Sequence, residues 1–331
     1  MQILLPIAGM GTRVRPHTYV RPKPMLTLAG KPVIGHQLDY LIQLAPSSIV
    51  LVVGERGQMV EQYVRERYAV PVHVRVQHEL AGQSHAIKMA ADVLTEPTLI
   101  VFGDTLFEAP FDQLTDAGVD GTIVVQPVPD PARFGVVELR EGFITRLIEK
   151  PEGEPPSNLA TIGVYFVNDP AALLAAIDAQ IAAGDALKGE FYLAGALQRL
   201  FDAGKRFRPV TASVWYDTGT IDAILETHRY LLQRHRAEPE GQADALVLPP
   251  CHIDPSARLE RSVIGPYVSI GPGAVVRECV LADAIIGQGV TLRAQVLRRS
   301  IIGDHADLTS APLAYNVADH SSARMLLSEQ P

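Results

Sequence analysis

Ala8, Gly9, Met10, Gly11, Thr12 and Arg13 directly follow a short apolar run, Gln2 to Ile7, and Lys23 and Pro24 stand ten residues beyond Arg13. Two glycines spaced by one residue let a backbone approach a phosphate chain closely and aim its N–H groups at the oxygens. Arg13 and Lys23 add cationic side chains where a polyphosphate gathers negative charge. Two other phosphate loops do not fit: the Gly-Lys-Ser/Thr of a Walker loop is absent, and the third glycine of a dinucleotide fingerprint is replaced by Val14. Taken alone, a Gly-x-Gly pair also suits an ordinary strand-to-helix turn, so the added Thr12, Arg13 and Lys23 carry the signal.

The charge distribution sharpens it. The chain has 331 residues, 47% hydrophobic and 20% charged, with a formal net charge of −8. That describes a folded globular protein, and an acidic total argues against general affinity for nucleic acid. Yet the first acidic residue is Asp39: the preceding segment, with Arg13, Arg15, Arg21, Lys23 and Lys31, carries +5 and the remainder −13. No apolar run approaches the roughly 18 to 20 residues of a membrane span. The start lacks a basic stretch ahead of a long apolar segment, so it is read as a first strand and the protein as cytoplasmic, without a membrane partner. Cys251 and Cys279 form no CxxC pair and are assigned to packing.

The elements that must position these residues follow from periodicity. Gln2 to Ile7, Ile49 to Val53, Val70 to Val76 and Leu99 to Phe102 are apolar strand runs, the last ending on Gly103 and Asp104. Between them, helical periods cover Val33 to Leu44, Gln58 to Arg67 and Ser84 to Leu94. This alternation predicts an α/β fold with a doubly wound, mostly parallel, Rossmann-like sheet, whose ligands lie outside the carboxyl ends of the strands. From Asp120 to Phe166 the texture turns to short β segments. Helices are expected again over Pro170 to Ala183, Glu190 to Ala203 and Thr220 to Arg236. Beyond a polar stretch, aliphatic residues recur about every six positions: Ile253, Leu259, Ile264, Ile270, Val276, Ile286, Leu292 and Ile302. A hexapeptide repeat predicts a small β-solenoid of about three coils. The expected organisation is therefore an α/β domain over 1–237, a linker over 238–246, a short left-handed β-helix over 247–311 and a tail over 312–331.

In this order and combination the motifs resemble those of the sugar-1-phosphate nucleotidylyltransferases, also called sugar-nucleotide pyrophosphorylases. The similarity covers about residues 1 to 235, and a solenoid tail occurs in many members. It implies that Ala8, Gly9, Gly11, Thr12 and Arg13 bind the nucleotide. Gln77 and Gly82, in Gln77 to Ala86, resemble the segment that reads a pyrimidine base. Gln83-Ser84 departs from the more usual Thr-Ala. Asp104 and Asp217, the latter within Trp215 to Thr220, resemble the metal-binding aspartates. Phe134 to Glu138 and Ile148 to Pro151 resemble the sugar-binding elements, with Gly135 in the first, Glu149 on sugar hydroxyls and Lys150 on the sugar phosphate. Asn158 and Thr161 match a further sugar-contacting strand.

The chemistry of such a reaction agrees with these residue types. Joining a sugar 1-phosphate to a nucleoside triphosphate is an in-line displacement at the α-phosphorus that expels pyrophosphate, so no protein nucleophile is needed. The site must hold two polyanions in line and stabilise the departing charge. Mg²⁺ takes one or two carboxylates plus phosphate oxygens, which Asp104 and Asp217 can offer. Arg13 and Lys23 then serve the leaving phosphates and Lys150 the attacking one. dTTP or UTP with glucose 1-phosphate is the favoured pair; mannose-1-phosphate guanylyl transfer and a silent sugar-nucleotide-binding subunit are the alternatives. An acyltransferase reading of the solenoid, through His252 or His305, lacks a long loop to shape a carrier pocket. The solenoid is expected to serve homo-oligomer contacts or regulation.

Overall fold

A computed structural model describes residues 1–235 and 244–311, in two compact units, Met1–Ala237 and Glu238–Pro331. In chain order the first contains β1 (Gln2–Ile7), a hairpin of β2 (Thr27–Leu28) and β3 (Lys31–Pro32), α1 (Val33–Leu41), β4 (Ser48–Val53), α2 (Gln58–Arg67), β5 (Val72–Val76) and α3 (Gln83–Lys88). Then come β6 (Thr98–Val101), β7 (Thr105–Glu108), α4 (Phe111–Leu114), β8 (Gly121–Pro127), β9 (Gly135–Arg140), β10 (Phe143–Glu149) and β11 (Leu159–Val167). It closes with α5 (Pro170–Ala182), α6 (Leu193–Asp202), β12 (Phe207–Thr211), β13 (Val214–Asp217) and α7 (Ile221–His235).

Nine strands form one sheet in the order β5-β4-β1-β6-β11-β8-β12-β10-β9. Its parallel, doubly wound part is β5-β4-β1-β6, as the alternation of strands and helices predicts. Past β6 the sheet is mixed: β11 runs antiparallel to both β6 and β8, and the β9–β10 hairpin is antiparallel. "Mostly parallel" is therefore too simple for the whole sheet. Of the short β segments after Asp120, β9 and β10 form a hairpin, while β8 pairs antiparallel with β11 and parallel with β12.

Strand alternation sorts the core into two layers. Leu4, Val50, Val52 and Ile100 face α3, α5 and α6, while Ile3, Leu5, Ile49, Leu51, Leu99 and Val101 face α1 and α2. Both faces are covered, which is why β1, β4 and β6 read as near-continuous apolar runs. The helix expected to reach Leu94 ends at Lys88. After it the N–H groups of Ala90, Ala91 and Val93 bond three residues back, a tighter winding that still keeps Ala90 and Leu94 buried, so the apolar spacing alone did not reveal the change.

Besides the two-residue strands β2 and β3, three strands of the first unit were not legible in the sequence. β12 joins the sheet beside β8, and β7 and β13 pair antiparallel in a separate ribbon with Asp217 opposite Thr105. β7 and β13 have four residues each and owe their conformation to a partner over a hundred residues away.

The second unit is built of short parallel strands in three columns. Leu246 lies opposite Val263, Val263 opposite Val280 and Val280 opposite Val296. The other columns run Cys251, Val268, Ala284, Ser300 and Arg258, Val275, Thr291, Asp307. Among the described residues each has four tiers rather than three, and the first begins at Ala245, inside the stretch expected as linker. Leu259, Ile264, Ile270, Val276, Ile286 and Leu292 from the sixfold pattern form its core, which also holds both cysteines. Burial pushes the Cys251 and Cys279 thiols above their ordinary value, in keeping with packing roles. The rest of the expected linker, 238–243, and the expected tail over 312–331 lie outside the described residues.

Candidate active site

The glycine-arginine loop leaves the carboxyl end of β1 beside the end of β6. Gly103 is required at that junction: a Cβ there would lie 2.3 Å from Ile7 Cγ2, so only glycine lets the Asp104 loop cross the end of β1. The buried side chain of Gln37 pins the same loop from α1, with Nε2 donating to the carbonyls of Phe102 (2.8 Å) and Thr105 (2.6 Å).

The residues expected from sequence to meet phosphate converge there. Lys23 Nζ lies 3.0 Å from Asp104 Oδ2, with the lysine side chain 11% exposed and the aspartate 40%. Asp217 ends β13, opposite Thr105 in β7, and Thr218 N–H donates to the Asp104 carbonyl at 2.9 Å. Gly219 N–H donates to Asp217 Oδ1 at 2.6 Å. A Cβ on Gly219 would lie 3.0 Å from that oxygen and 3.3 Å from Arg13 Nη2, which places the guanidinium beside Asp217. Gly9, Thr12 and Arg13 are exposed and Ala8 and Gly11 half-buried, while Thr18 Oγ1 holds the loop by donating to the Gly11 carbonyl (2.9 Å).

The two carboxylates suit Mg²⁺ by their donor chemistry. Among the described residues no cluster of three or more His, Cys, Asp or Glu could cage a metal by itself. Asp104 and Asp217, on adjacent backbone segments and both partly exposed, offer hard oxygen donors of the kind Mg²⁺ takes alongside phosphate oxygens.

Gln77 follows β5 on the same edge of the sheet. Its side chain is buried, and Nε2 faces the Gly82 carbonyl (3.3 Å) and His85 Nδ1 (3.0 Å). With both amide hydrogens engaged, Oε1 is the atom left to offer a ligand. His85 is thus the neighbour that orients Gln77.

The residues expected from sequence to meet the sugar lie on the other side of the Asp104 loop. Gly135 pairs with Glu149 across the β9–β10 hairpin, and a Cβ on Gly135 would lie 2.9 Å from Thr161 Oγ1 and 3.0 Å from Glu149 Oε2. Thr161 belongs to the irregular part of β11, and Phe102 N–H and Thr105 Oγ1 bond the carbonyls of Gly163 (2.9 Å) and Ile162 (2.8 Å). These bonds make the two groups one continuous region. Lys150 Nζ lies 3.9 Å from Glu149 Oε1. Asn158 is exposed just before β11, and its carbonyl accepts from Val128 N–H at 3.0 Å. Trp215 packs edge-on against Phe134 at 5.4 Å, linking the two aromatic motifs. His228 is a structural residue, with Nδ1 accepting from Ala29 N–H at 3.1 Å.

Burial pushes the Glu149 carboxyl above its ordinary value; Lys150 pulls it back, and Glu190 adds to the rise. The folded state therefore binds this proton more tightly than the unfolded chain, and its stabilising contribution fades as pH rises through the raised value. Glu149→Gln never ionises. Its Tm relative to wild type is expected to climb between about pH 4 and pH 7, measured by thermal melts; a flat or falling difference counts against this environment for Glu149.

Sequence reasoning did not single out Tyr192, at the start of α6. Lys150 Nζ donates to its hydroxyl at 2.8 Å. The aromatic pair Phe191-Tyr192 ahead of an amphipathic helix was visible, but only the fold brings it to Lys150.

Comparison with known proteins gives a consistent set of similarities. The profile described as nucleotidyl transferase matches residues 3–234. The chain is 28% identical to a glucose-1-phosphate thymidylyltransferase of Streptomyces griseus over 359 aligned positions, covering 98% of this chain and 99% of that protein. It is 32% identical over 223 positions to the UTP–glucose-1-phosphate uridylyltransferase AglF of Haloferax volcanii, covering 65% of this chain and 89% of that one. A probable mannose-1-phosphate guanylyltransferase of Oryza sativa is 28% identical, over 85% of this chain and 79% of that protein. Among solved structures, a UDP-glucose pyrophosphorylase complexed with UDP-glucose shares the fold with a TM-score of 0.61, at 22% identity, covering 70% of this chain and 98% of that one.

Proposed function

The chain belongs to the nucleotidyl transferase family, and from that premise we propose that it joins dTTP or UTP to glucose 1-phosphate, giving a nucleotide sugar and pyrophosphate. Nucleotidyl transfer to a sugar 1-phosphate is its activity; the pyrimidine base and glucose are the finer part of the proposal. The observation that carries it is the meeting of an acid-free cationic loop with two carboxylates: Lys23 on Asp104, and Arg13 beside Asp217.

Each side chain then has a task in an in-line displacement. The backbone of Ala8 to Thr12 lies along the triphosphate, and Arg13 and Lys23 neutralise the β- and γ-phosphates as they depart. Asp104 and Asp217 are the residues to hold Mg²⁺. When bound, the ion neutralises phosphate charge and polarises the α-phosphorus. Glu149, in its crowded corner with Gly135 and Thr161, accepts sugar hydroxyls, with Asn158 at the rim. Lys150 orients the attacking phosphate oxygen. Gln77, through Oε1, accepts the N3–H of uracil or thymine, and Gly82 sets the turn beside it.

For the second unit we read a short left-handed β-helix of hexapeptide repeats that serves self-association or regulation; the three parallel columns and their aliphatic core support that reading. Cytoplasmic residence is the matching expectation. No helix among the described residues is long and apolar enough to cross a membrane.

Pyrophosphate release, followed over dTTP, UTP, CTP, ATP and GTP with glucose 1-phosphate and mannose 1-phosphate, tests the assignment. Release with dTTP or UTP and glucose 1-phosphate is expected. Release only with GTP and mannose 1-phosphate overturns the base and sugar, and no release with any pair points to a binding subunit.

A further inference from the structure

The segment Phe191–Leu193 touches both halves of the site. Toward the nucleotide, Phe191 N–H donates to the Ala81 carbonyl and Ser84 N–H to the Phe191 carbonyl, each at 2.9 Å. Leu193 N–H donates to Gln83 Oε1 at 3.1 Å. These bonds clasp the turn that carries Gly82 and abuts Gln77. Toward the sugar, Tyr192 takes the Lys150 ammonium on its hydroxyl at 2.8 Å, and the same nitrogen lies 4.6 Å from the ring centroid. The Tyr192 backbone is itself anchored, because Nε2 of the buried Gln180 donates to its carbonyl at 2.9 Å.

From this we propose that Tyr192 is a positioning residue: it holds Lys150 Nζ where the sugar phosphate must lie and ties that placement to the base-reading turn. The proposal rests on the assignment of Lys150 to the sugar phosphate. A lysine ammonium is a point charge on a flexible four-carbon stem, and here the stem is 44% exposed. Its root is fixed, since Lys150 sits at φ 45° with its N–H on the Phe134 carbonyl at 2.9 Å. Its tip is held chiefly by Tyr192, because the Glu149 oxygen is at 3.9 Å. Burial tends to lower the lysine's pKa, but the Tyr192 hydrogen bond, with Glu149 and Glu190, holds it above its ordinary value, so the group stays an ammonium. A phosphate arriving there meets a charge already aimed.

The test is a double-mutant cycle on binding, so that turnover is not needed. Calorimetry measures Kd for UDP-glucose, which carries the sugar phosphate, and for UTP, which in this reading does not use Lys150. Tyr192→Phe keeps the ring and removes the hydroxyl. It is expected to weaken UDP-glucose about tenfold while leaving UTP and the Tm unchanged. In a Lys150→Met background the same substitution should have no further effect, because Tyr192 acts through the lysine. A Tyr192→Phe loss shared equally by UTP, or one that persists undiminished beside Lys150→Met, overturns the positioning role. If Lys150→Met alone leaves UDP-glucose affinity intact, the assignment of Lys150 fails instead, and the proposal with it.

Discussion

Asp104→Asn is expected to lower kcat by about 10²–10³-fold, the size of effect seen when one preorganised charge-stabilising group is lost, while weakening nucleotide binding little. The side chain keeps its shape and loses its charge. In wild type the carboxylate balances the nearly buried Lys23 at 3.0 Å. In the variant that ammonium has no anionic partner among the described residues until a triphosphate arrives. Binding of dTTP or UTP in the absence of divalent ions should therefore be equal to wild type or tighter. The 40% exposure of Asp104 keeps the structural cost small, because solvent screens the lost pair. A merely structural aspartate predicts the opposite pattern, in which Tm, affinity and rate fall together. Steady-state kinetics beside chelator-treated binding separate the two, and near-normal turnover in Asp104→Asn removes the residue from the mechanism.

The charges proposed for the site were legible because they lie at the carboxyl ends of strong apolar strands. β1 and β6 are six and four residues long, almost entirely buried, and each ends at a motif. The sequence showed Asp104 directly after such a run, and likewise the loop after Ile7. Asp217 was recognisable only through its Trp-Tyr-Asp-Thr-Gly context. Its strand, β13, has half-buried residues, no apolar run and a partner far away in the chain. Contacts between side chains were the least legible level. Nothing in local spacing connects Lys150 with Tyr192, or tells that His85 would turn the Gln77 amide. The hexad of the second unit was plain for the opposite reason: every repeat meets its neighbour in the next tier, so a local period reports a three-dimensional contact. Its tier count and first residue depended on pairing at Ala245 to Val247, where only the fold distinguishes strand from linker.

Gly82→Ala should be the most disruptive single methyl added to the site. Gly82 sits at φ 104° and ψ −174°, a region that only glycine occupies comfortably. A Cβ there would stand 2.5 Å from Phe191 N and 2.7 Å from Phe191 O, backbone atoms that cannot rotate aside. Backbone strain of about 1–3 kcal/mol combines with about 1 kcal/mol for each of the two Phe191 hydrogen bonds displaced. For a domain of this size that lowers Tm by about 10 °C. Because the Gly82 carbonyl also receives the Gln77 amide, KM for the nucleotide should rise at least about tenfold, as for a lost hydrogen-bonded contact at the base. Displacing Phe191 moves Tyr192 as well, so KM for the sugar 1-phosphate rises with it. Gly9→Ala is the matched control. A Cβ on Gly9 meets nothing within 4 Å among the described residues, so Tm should not change; its methyl instead enters the space a phosphate needs, raising KM for the triphosphate but not for the sugar. A Gly82→Ala protein with wild-type Tm and both KM values intact would show that the turn yields freely, and with it would go the claim that base reading depends on its contact with Phe191.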